Sequence, residues 1–488
     1  MDGAMLGLDL GTSSLKALLL RPDGSVVAEA SASYPTFAPT PGAAEQDPDD
    51  WWRAAVSATR AVLAQAGATT VSSIGLAGQM HTFVLVDAGG ASVRPAISWM
   101  DTRASALLPD IAARVDAAGL RDELANPVVV GLTLPPLVWL ARHEGASLAA
   151  ARTLLGAKDW LRYRLTGELA ADVTDASATL LFDVAQRRWS HATCTAFDLD
   201  PALLPPLGEP GELAGQLSAG AATELGLAAG IPVAFGAGDA QAAALGMGKV
   251  RAGDTQLMVG TGAQPSLVLA AAPTRDLGRG LHTFCHVQGW LLQASVNNAG
   301  AALGWVRELL GLDWAELYGA LEALPPSAPL FVPYLTGERA GLLKGYARGG
   351  WLGLEPGHGR RDLAAAAVAG VVGGIALGLE LVASGHDSGP VCAAGGGLRH
   401  AAFAQALADA SGRTLEVRDA GAASAIGAAL LGGVAGGLFS DVASAAASVP
   451  RRASSLIEPR AAPQPHWHRL RERLRELDAA GLHELLRS

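Results

Sequence analysis

Four short glycine-bearing turns, each set where an apolar run ends, constrain this chain more than any other feature. The first is Asp9-Leu10-Gly11-Thr12-Ser13-Ser14-Leu15-Lys16, between the apolar runs Met5–Leu10 and Leu15–Leu20. The second is Phe235-Gly236-Ala237-Gly238-Asp239-Ala240-Gln241. Gly260-Thr261-Gly262 follows the run Gln256–Val259, and Gly395-Gly396-Gly397 follows Val391–Ala394. Glycine leaves backbone N–H groups open to close approach, so strand ends of this kind suit phosphate-sized ligands. Taken singly each turn is weak evidence, and the first also reads as an ordinary hairpin with polar tips.

The runs between the turns read as α/β. Met5–Leu10, Leu15–Leu20 and Val26–Ser31 are strands, the last two joined by Pro22-Asp23-Gly24, where glycine can take a positive φ. A helix follows over about 49–66, capped by Asp47 or Asp49 with Pro48 near its first turn, then strands Val71–Leu76 and Thr82–Val86. The second half starts in the same way. Strands Gln256–Val259 and Pro265–Ala270 flank the Gly-Thr-Gly turn, and helices over about 299–310 and 363–384 precede the strand Val391–Ala394. This pattern predicts an internally duplicated fold divided as 1–245, 246–440 and 441–488. Gly246, Gly248 and Gly253 are candidate hinge positions. The stretch 440–465 reads as a loop-rich linker, and 467–486 as an amphipathic helix packing back onto the protein.

Composition narrows the function classes. A formal charge of −10 and no Lys/Arg-rich run before the last 25 residues argue against nucleic acid. Leu363–Leu379 and Ala420–Phe439 are uncharged but built largely of Ala and Gly, so they read as buried helices rather than membrane spans. Three cysteines far apart (Cys194, Cys285, Cys392) fit a reduced, cytoplasmic protein without disulfides. His282, Cys285 and His286 offer metal-ligand atoms, but a strand would turn His282 and Cys285 to opposite faces.

The chemistry implied by the turns is phosphoryl transfer. Asp9, at a strand end beside Gly11, Thr12 and Ser13, is placed to hold Mg²⁺, and Lys16 to reach a phosphate. Asp239, emerging among small residues, suits a general base taking a proton from an alcohol, or equally a helix cap. The order of the four turns resembles the actin/hexokinase/heat-shock-ATPase superfamily, and within it the FGGY carbohydrate kinases, from Leu6 to about Gly433. That resemblance implies two actin-like (ribonuclease H-like) α/β domains, a central nucleotide/sugar cleft, ATP with Mg²⁺, and transfer to a terminal sugar hydroxyl.

Narrower segments resemble the xylulokinase branch: Glu45-Gln46-Asp47-Pro48 with Trp51-Trp52, Gln79-Met80-His81, His282-Thr283-Phe284-Cys285-His286 and Tyr334-Leu335-Thr336-Gly337-Glu338-Arg339. The resemblance implies Asp239 as catalytic base, Met80, His81, Trp99 and Asp101 near the sugar, and Asp9 on the metal. It places Gly11, Thr12, Ser13, Lys16, Thr261, Gly262, Gly300, Gly396 and Gly397 around ATP. The chain departs from the branch at Ala240, where Asn is usual, at Pro136 for Lys, and at Ala340-Gly341-Leu342 for Thr-Pro-His. Sister substrates such as L-ribulose, gluconate or erythritol therefore stay open, as does a non-enzymatic sugar sensor. A homodimer is allowed but nothing in the sequence demands one.

Overall fold

The computed structural model describes residues 3–479 except 274–277, 279, 325–327, 339–347, 385–388, 420, 450–454 and 462–464. Two seven-stranded sheets organise it. The first runs in space Leu213–Gln216, Pro232–Ala234, Val71–Gly78, Ala4–Leu10, Ser14–Leu20, Val26–Ser33, with Ala237–Gly238 also paired to Val71–Gly78. The second runs Ser455–Ile457, Leu415–Arg418, Val391–Ala394, Thr255–Val259, Ala263–Leu269, Trp290–Ala294, Leu281–Cys285.

Strand directions match across six strands and chain order across five. In each sheet the first strand of the half pairs antiparallel with its hairpin partner, which pairs antiparallel with the next. On its other side it pairs parallel with a later strand, then come a second parallel neighbour and an antiparallel edge strand. The duplication expected from two similar beginnings therefore extends through five strands; the antiparallel edge strand precedes its neighbour in the chain in the first half and follows it in the second.

Local chemistry explains the elements that sequence could place. The helix Pro48–Ala66 starts where the Asp47 carboxylate accepts the Asp49 N–H at 3.0 Å, with Pro48 in its first turn. It lies on the strands Ser14–Leu20 and Val26–Ser33 and buries Trp51 completely. The apolar helix Arg360–Ala383 is long enough to cross a membrane by length and composition, but most of it is buried in the second half's core. The helix Pro465–Ala479 packs against it: Leu470 and Leu474 lie over Gly373, and Arg471 and Arg475 reach Glu380. Residues 480–486 of that expected helix lie outside the described residues.

One expectation changes, and one helix crosses between the halves. The stretch 440–465 is not only a linker: Asp441 caps a short helix, Val442–Ala447, and Ser455–Ile457 adds the edge strand to the second sheet. An Ala-rich six-residue helix carries too little apolar pattern to be seen in sequence. The helix Ala423–Ala435, counted with the second half, packs instead on the first sheet, against Ala4–Leu10 and Val71–Gly78. Glycine permits this. A Cβ on Gly7 would stand 2.0 Å from the Ala425 carbonyl oxygen, and one on Gly75 1.8 Å from that of Ala428. Ala243 and Met247, on or just past the helix Asp239–Gly246, reach the opposite way into a buried cluster with Cys392 and Ala394 of the second sheet. The two halves are thus joined by helices that each lean on the other's sheet.

Candidate active site

Asp239 is the first residue of the helix Asp239–Gly246, with Gly238 as its cap residue, so its side chain is not needed to cap the helix. Its carboxylate accepts the Ala240 N–H at 2.8 Å and is partly buried. Burial pushes it up to about 6, against the pull of its backbone hydrogen bonds. Asp9 ends the Ala4–Leu10 strand and faces Lys16 across the hairpin. Burial, and then the charge of Asp239, push Asp9 up to about 7, while Lys16 pulls it down. Two carboxylates sharing a desolvated pocket are the donor set that a hard divalent cation relieves, so Mg²⁺ fits here. Lys16 reaches across the cleft, donating to the Gly421 carbonyl, and Ser424 Oγ donates to the Asp239 carbonyl at 3.2 Å.

The first glycine turn is held by side chains. Tyr34 donates its hydroxyl proton to the Gly11 carbonyl. Gln46 Nε2 donates to the Thr12 carbonyl at 2.7 Å and to Thr36 Oγ1 at 2.8 Å, while its Oε1 accepts from Gln79 at 2.8 Å and Trp51 at 3.2 Å. Trp99, 44% exposed, donates its indole N–H to Thr12 Oγ1 at 3.0 Å. This bond joins a residue expected on the sugar to one expected on the phosphates. Gln46, Tyr34 and Gln79 had no assigned role in sequence, although Gln46 and Gln79 stand in two of the quoted segments.

Met80 and His81 follow the Val71–Gly78 strand. His81 has a φ of 69°, left-handed and uncommon for a residue with a side chain, and its Nδ1 donates to the Ala178 carbonyl at 2.9 Å. Met80 shares a small buried cluster with Ala178, Phe284 and Ala240. Phe284 comes from the second half's edge strand Leu281–Cys285 and was not foreseen; its ring also lies 6.0 Å from that of His81. Asp101 is buried, accepting the Ala44 N–H at 2.8 Å and pairing with Arg103 at 2.8 Å. Its carboxylate thus braces the neighbouring chain rather than facing the cleft. His282 Nδ1 meets Asn126 Oδ1 at 3.2 Å, and burial pushes Cys285 up to about 12. Pro135 and Pro136 sit in the first turn of Leu134–His143, where a missing N–H costs nothing. Ala340–Leu342 lie outside the described residues.

On the second half, a cavity of about 480 Å³ opens between the Gly260–Gly262 turn and the glycine run. Thr261, Gly300, Gly396 and Gly397 line it. Gly262 does not; a Cβ there would meet the Val296 carbonyl at 2.7 Å, so it serves the turn's packing. A Cβ on Gly300 would stand 2.4 Å from the Gly260 carbonyl oxygen, which lets the helix Gly300–Leu310 start directly against the turn. The cavity's far wall is aromatic: Tyr318 and His400 stack with centroids 4.2 Å apart, and Trp314 stacks on Tyr318 at 5.7 Å. Flat side chains beside open backbone are what a planar base requires.

Matching domain for domain decides the family: the N-terminal domain of the FGGY family of carbohydrate kinases matches residues 4–246, and its C-terminal domain residues 248–436. The chain belongs to the FGGY family of carbohydrate kinases. A xylulose kinase from Escherichia coli (strain K12) is 38% identical over 440 residues, covering 88% of this chain and 90% of its own. A gluconokinase from Bacillus subtilis (strain 168) is 26% identical over 452 residues, 88% of this chain and 87% of that one. The crystal structure of xylulose kinase from Rhodospirillum rubrum superposes with a TM-score of 0.91 at 28% identity, over 99% of this chain and 100% of that one. Like its FGGY relatives, this kinase has the two actin-like domains expected from the turn order.

Proposed function

We propose that this kinase transfers the γ-phosphoryl group of ATP to the terminal hydroxyl of D-xylulose, giving D-xylulose 5-phosphate. The observation that carries the reading is the place of Asp239: a part-buried carboxylate at the start of the helix Asp239–Gly246, next to Ala240 of the Met80 wall, with burial pushing it up to about 6. The xylulose kinases among the relatives support the choice of sugar.

The sugar lies against Met80, His81 and Trp99, and the nucleotide runs from the Gly11–Ser13 turn to the Tyr318–His400 stack. The hydroxyl oxygen forms its bond to the γ-phosphorus as the bond to the ADP oxygen breaks, and the hydroxyl proton passes to Asp239. Thr12, oriented by Gln46 and Trp99, offers its N–H and hydroxyl to phosphate oxygens. Asp9 would hold Mg²⁺, whose charge offsets that of the phosphates when bound. Three buried free thiols, Cys194, Cys285 and Cys392, accord with a cytoplasmic setting.

One observation favours a second sugar. Ala240 gives the pocket an apolar wall with Met80, Ala178 and Phe284, and a gluconokinase is among the relatives. Coupled ADP release with MgATP against D-xylulose, L-ribulose, gluconate, erythritol and glycerol tests both. D-Xylulose should dominate. A dominant rate with another sugar moves the kinase to that substrate, and no turnover with any, while ATP still binds, refutes the catalytic reading.

A further inference from the structure

Below the segment that carries Asp239 lies a buried charged cluster with no direct part in phosphoryl transfer. Lys158 and Arg162 are fully buried, with Asp159, Asp172 and Asp175 around them. Among the described residues these three aspartates are the one group of acidic, His or Cys side chains whose ligand atoms all lie within 4.8 Å of one another. The Lys158 ammonium already occupies that space, 2.6 Å from Asp159 Oδ1, 2.6 Å from Asp172 Oδ2 and 3.4 Å from Asp175 Oδ2. Arg162 Nη1 meets Asp159 Oδ1 at 2.7 Å. Burial drives Asp175 well above the usual carboxylate range, against the pull of Lys158.

A buried ion cluster is weak evidence for stability, since apolar side chains of like volume often serve as well. This one grips the Asp239 segment at both ends. Arg162 Nη1 donates to the Phe235 carbonyl at 3.2 Å, and its guanidinium lies 4.8 Å over the Phe235 ring. At the other end Thr174 Oγ1 accepts the Gly238 N–H at 2.9 Å, one residue before Asp239. Asp172 Oδ1 accepts both the Thr174 N–H, at 2.7 Å, and the Thr174 hydroxyl proton. A carboxylate that takes the hydroxyl proton leaves the Thr174 oxygen only its lone pairs, so it can serve Gly238 in one sense alone.

We infer that Thr174 is a positioning residue for Asp239: its hydroxyl, oriented by the Lys158–Asp172 pair, holds the Gly238 N–H and sets the direction from which the carboxylate enters the cleft. The inference rests on Asp239 being the base, as proposed above. Lys158 links the same cluster to the sugar wall, because it packs directly under Gly78, two residues before Met80; a Cβ on Gly78 would stand 2.8 Å from Lys158 Cβ.

The test compares Thr174→Val, Thr174→Ser and Thr174→Cys in the full-length enzyme. The Val variant should lose kcat by on the order of 10- to 100-fold, the scale of a small misplacement of a reacting group. KM for sugar and ATP should stay within about twofold. Ser should restore the rate, and Cys, a weaker acceptor, should fall between. In an Asp239→Asn background the Val change should cost nothing further. Hydrogen–deuterium exchange of the 235–242 peptide should quicken in the Val variant with the rest of the chain unchanged. Wild-type kcat in a folded Val variant overturns the inference. So does an undiminished cost beside Asp239→Asn, or a joint shift of kcat and KM that Ser does not rescue. If the wild-type enzyme turns over no sugar, or Asp239→Asn keeps full rate, the reading of Asp239 has failed. The exchange measurement then decides the Thr174 brace alone, and unchanged exchange rejects it.

Discussion

The two halves of this kinase share five strands in the same order and direction, each with an antiparallel edge strand added, yet their glycine turns are held in place by different means. In the first half, side chains from three distant segments brace the turn: Tyr34, Gln46 and Trp99 take up Gly11 and Thr12. In the second half backbone braces backbone: Gly300 N–H donates to the Gly260 carbonyl at 3.1 Å and Ala301 N–H to that of Thr261 at 2.9 Å. The buried surroundings differ in the same sense. The first half places Lys158, Arg162 and three aspartates under the cleft, whereas the second half's largest core cluster is wholly aliphatic and aromatic. A duplicated scaffold can thus divide its labour. One copy fixes polar groups at set angles for a small sugar and a proton transfer, and the other clears space for a large flat ring.

That contrast is breakable. If it holds, first-half variants change turnover or sugar affinity and second-half variants change ATP affinity. The largest effect belongs to Asp239→Asn, which should lower kcat by about 10²–10⁴-fold while sugar and ATP KM stay near wild type. Its pH profile sharpens the point. Asp239 accepts a proton only when ionised, so kcat/KM should fall as pH drops through about 6. In Asp239→Asn the Asp239 step should vanish and only the acid limb of Asp9, pushed up to about 7, remain, while any second-half variant keeps both, as rate profiles from pH 5 to 8 would show.

Gly300→Val comes next. Its Cβ would meet the Gly260 carbonyl oxygen at 2.4 Å, so the turn must shift. KM for ATP should rise about tenfold, equivalent to roughly 1.4 kcal/mol, with sugar KM unchanged. A rise in sugar KM instead would break the division between halves. Gln46→Leu should have the smallest effect on rate and register chiefly in stability. It removes the partner of several buried donors and acceptors, costing about 1–3 kcal/mol for a group left unpaired. Thermal unfolding should fall by several degrees, roughly 2–4 °C per kcal/mol for a domain of this size. An unchanged melting temperature would remove Gln46 as a brace of the first turn.

What the sequence by itself determined was local. Strand ends, the glycine turns and the Asp47-capped helix follow from neighbours within a few residues, where periodicity, capping and glycine's freedom act. Candidate functional residues were legible where they stand in those turns: Asp9, Asp239 and Thr261 among them. Tertiary structure alone decided which residues brace the turns, because those partners lie far along the chain. Thr174 meets Gly238 across 64 positions, Gln46 meets Thr12 across 34, and Phe284 reaches Met80 from the other half. It also drew the Asp101 carboxylate to Arg103 and laid the helix Ala423–Ala435 on the first sheet. That helix is apolar on nearly every face, so its pattern names no partner, and only the glycines opposite it admit so close an approach.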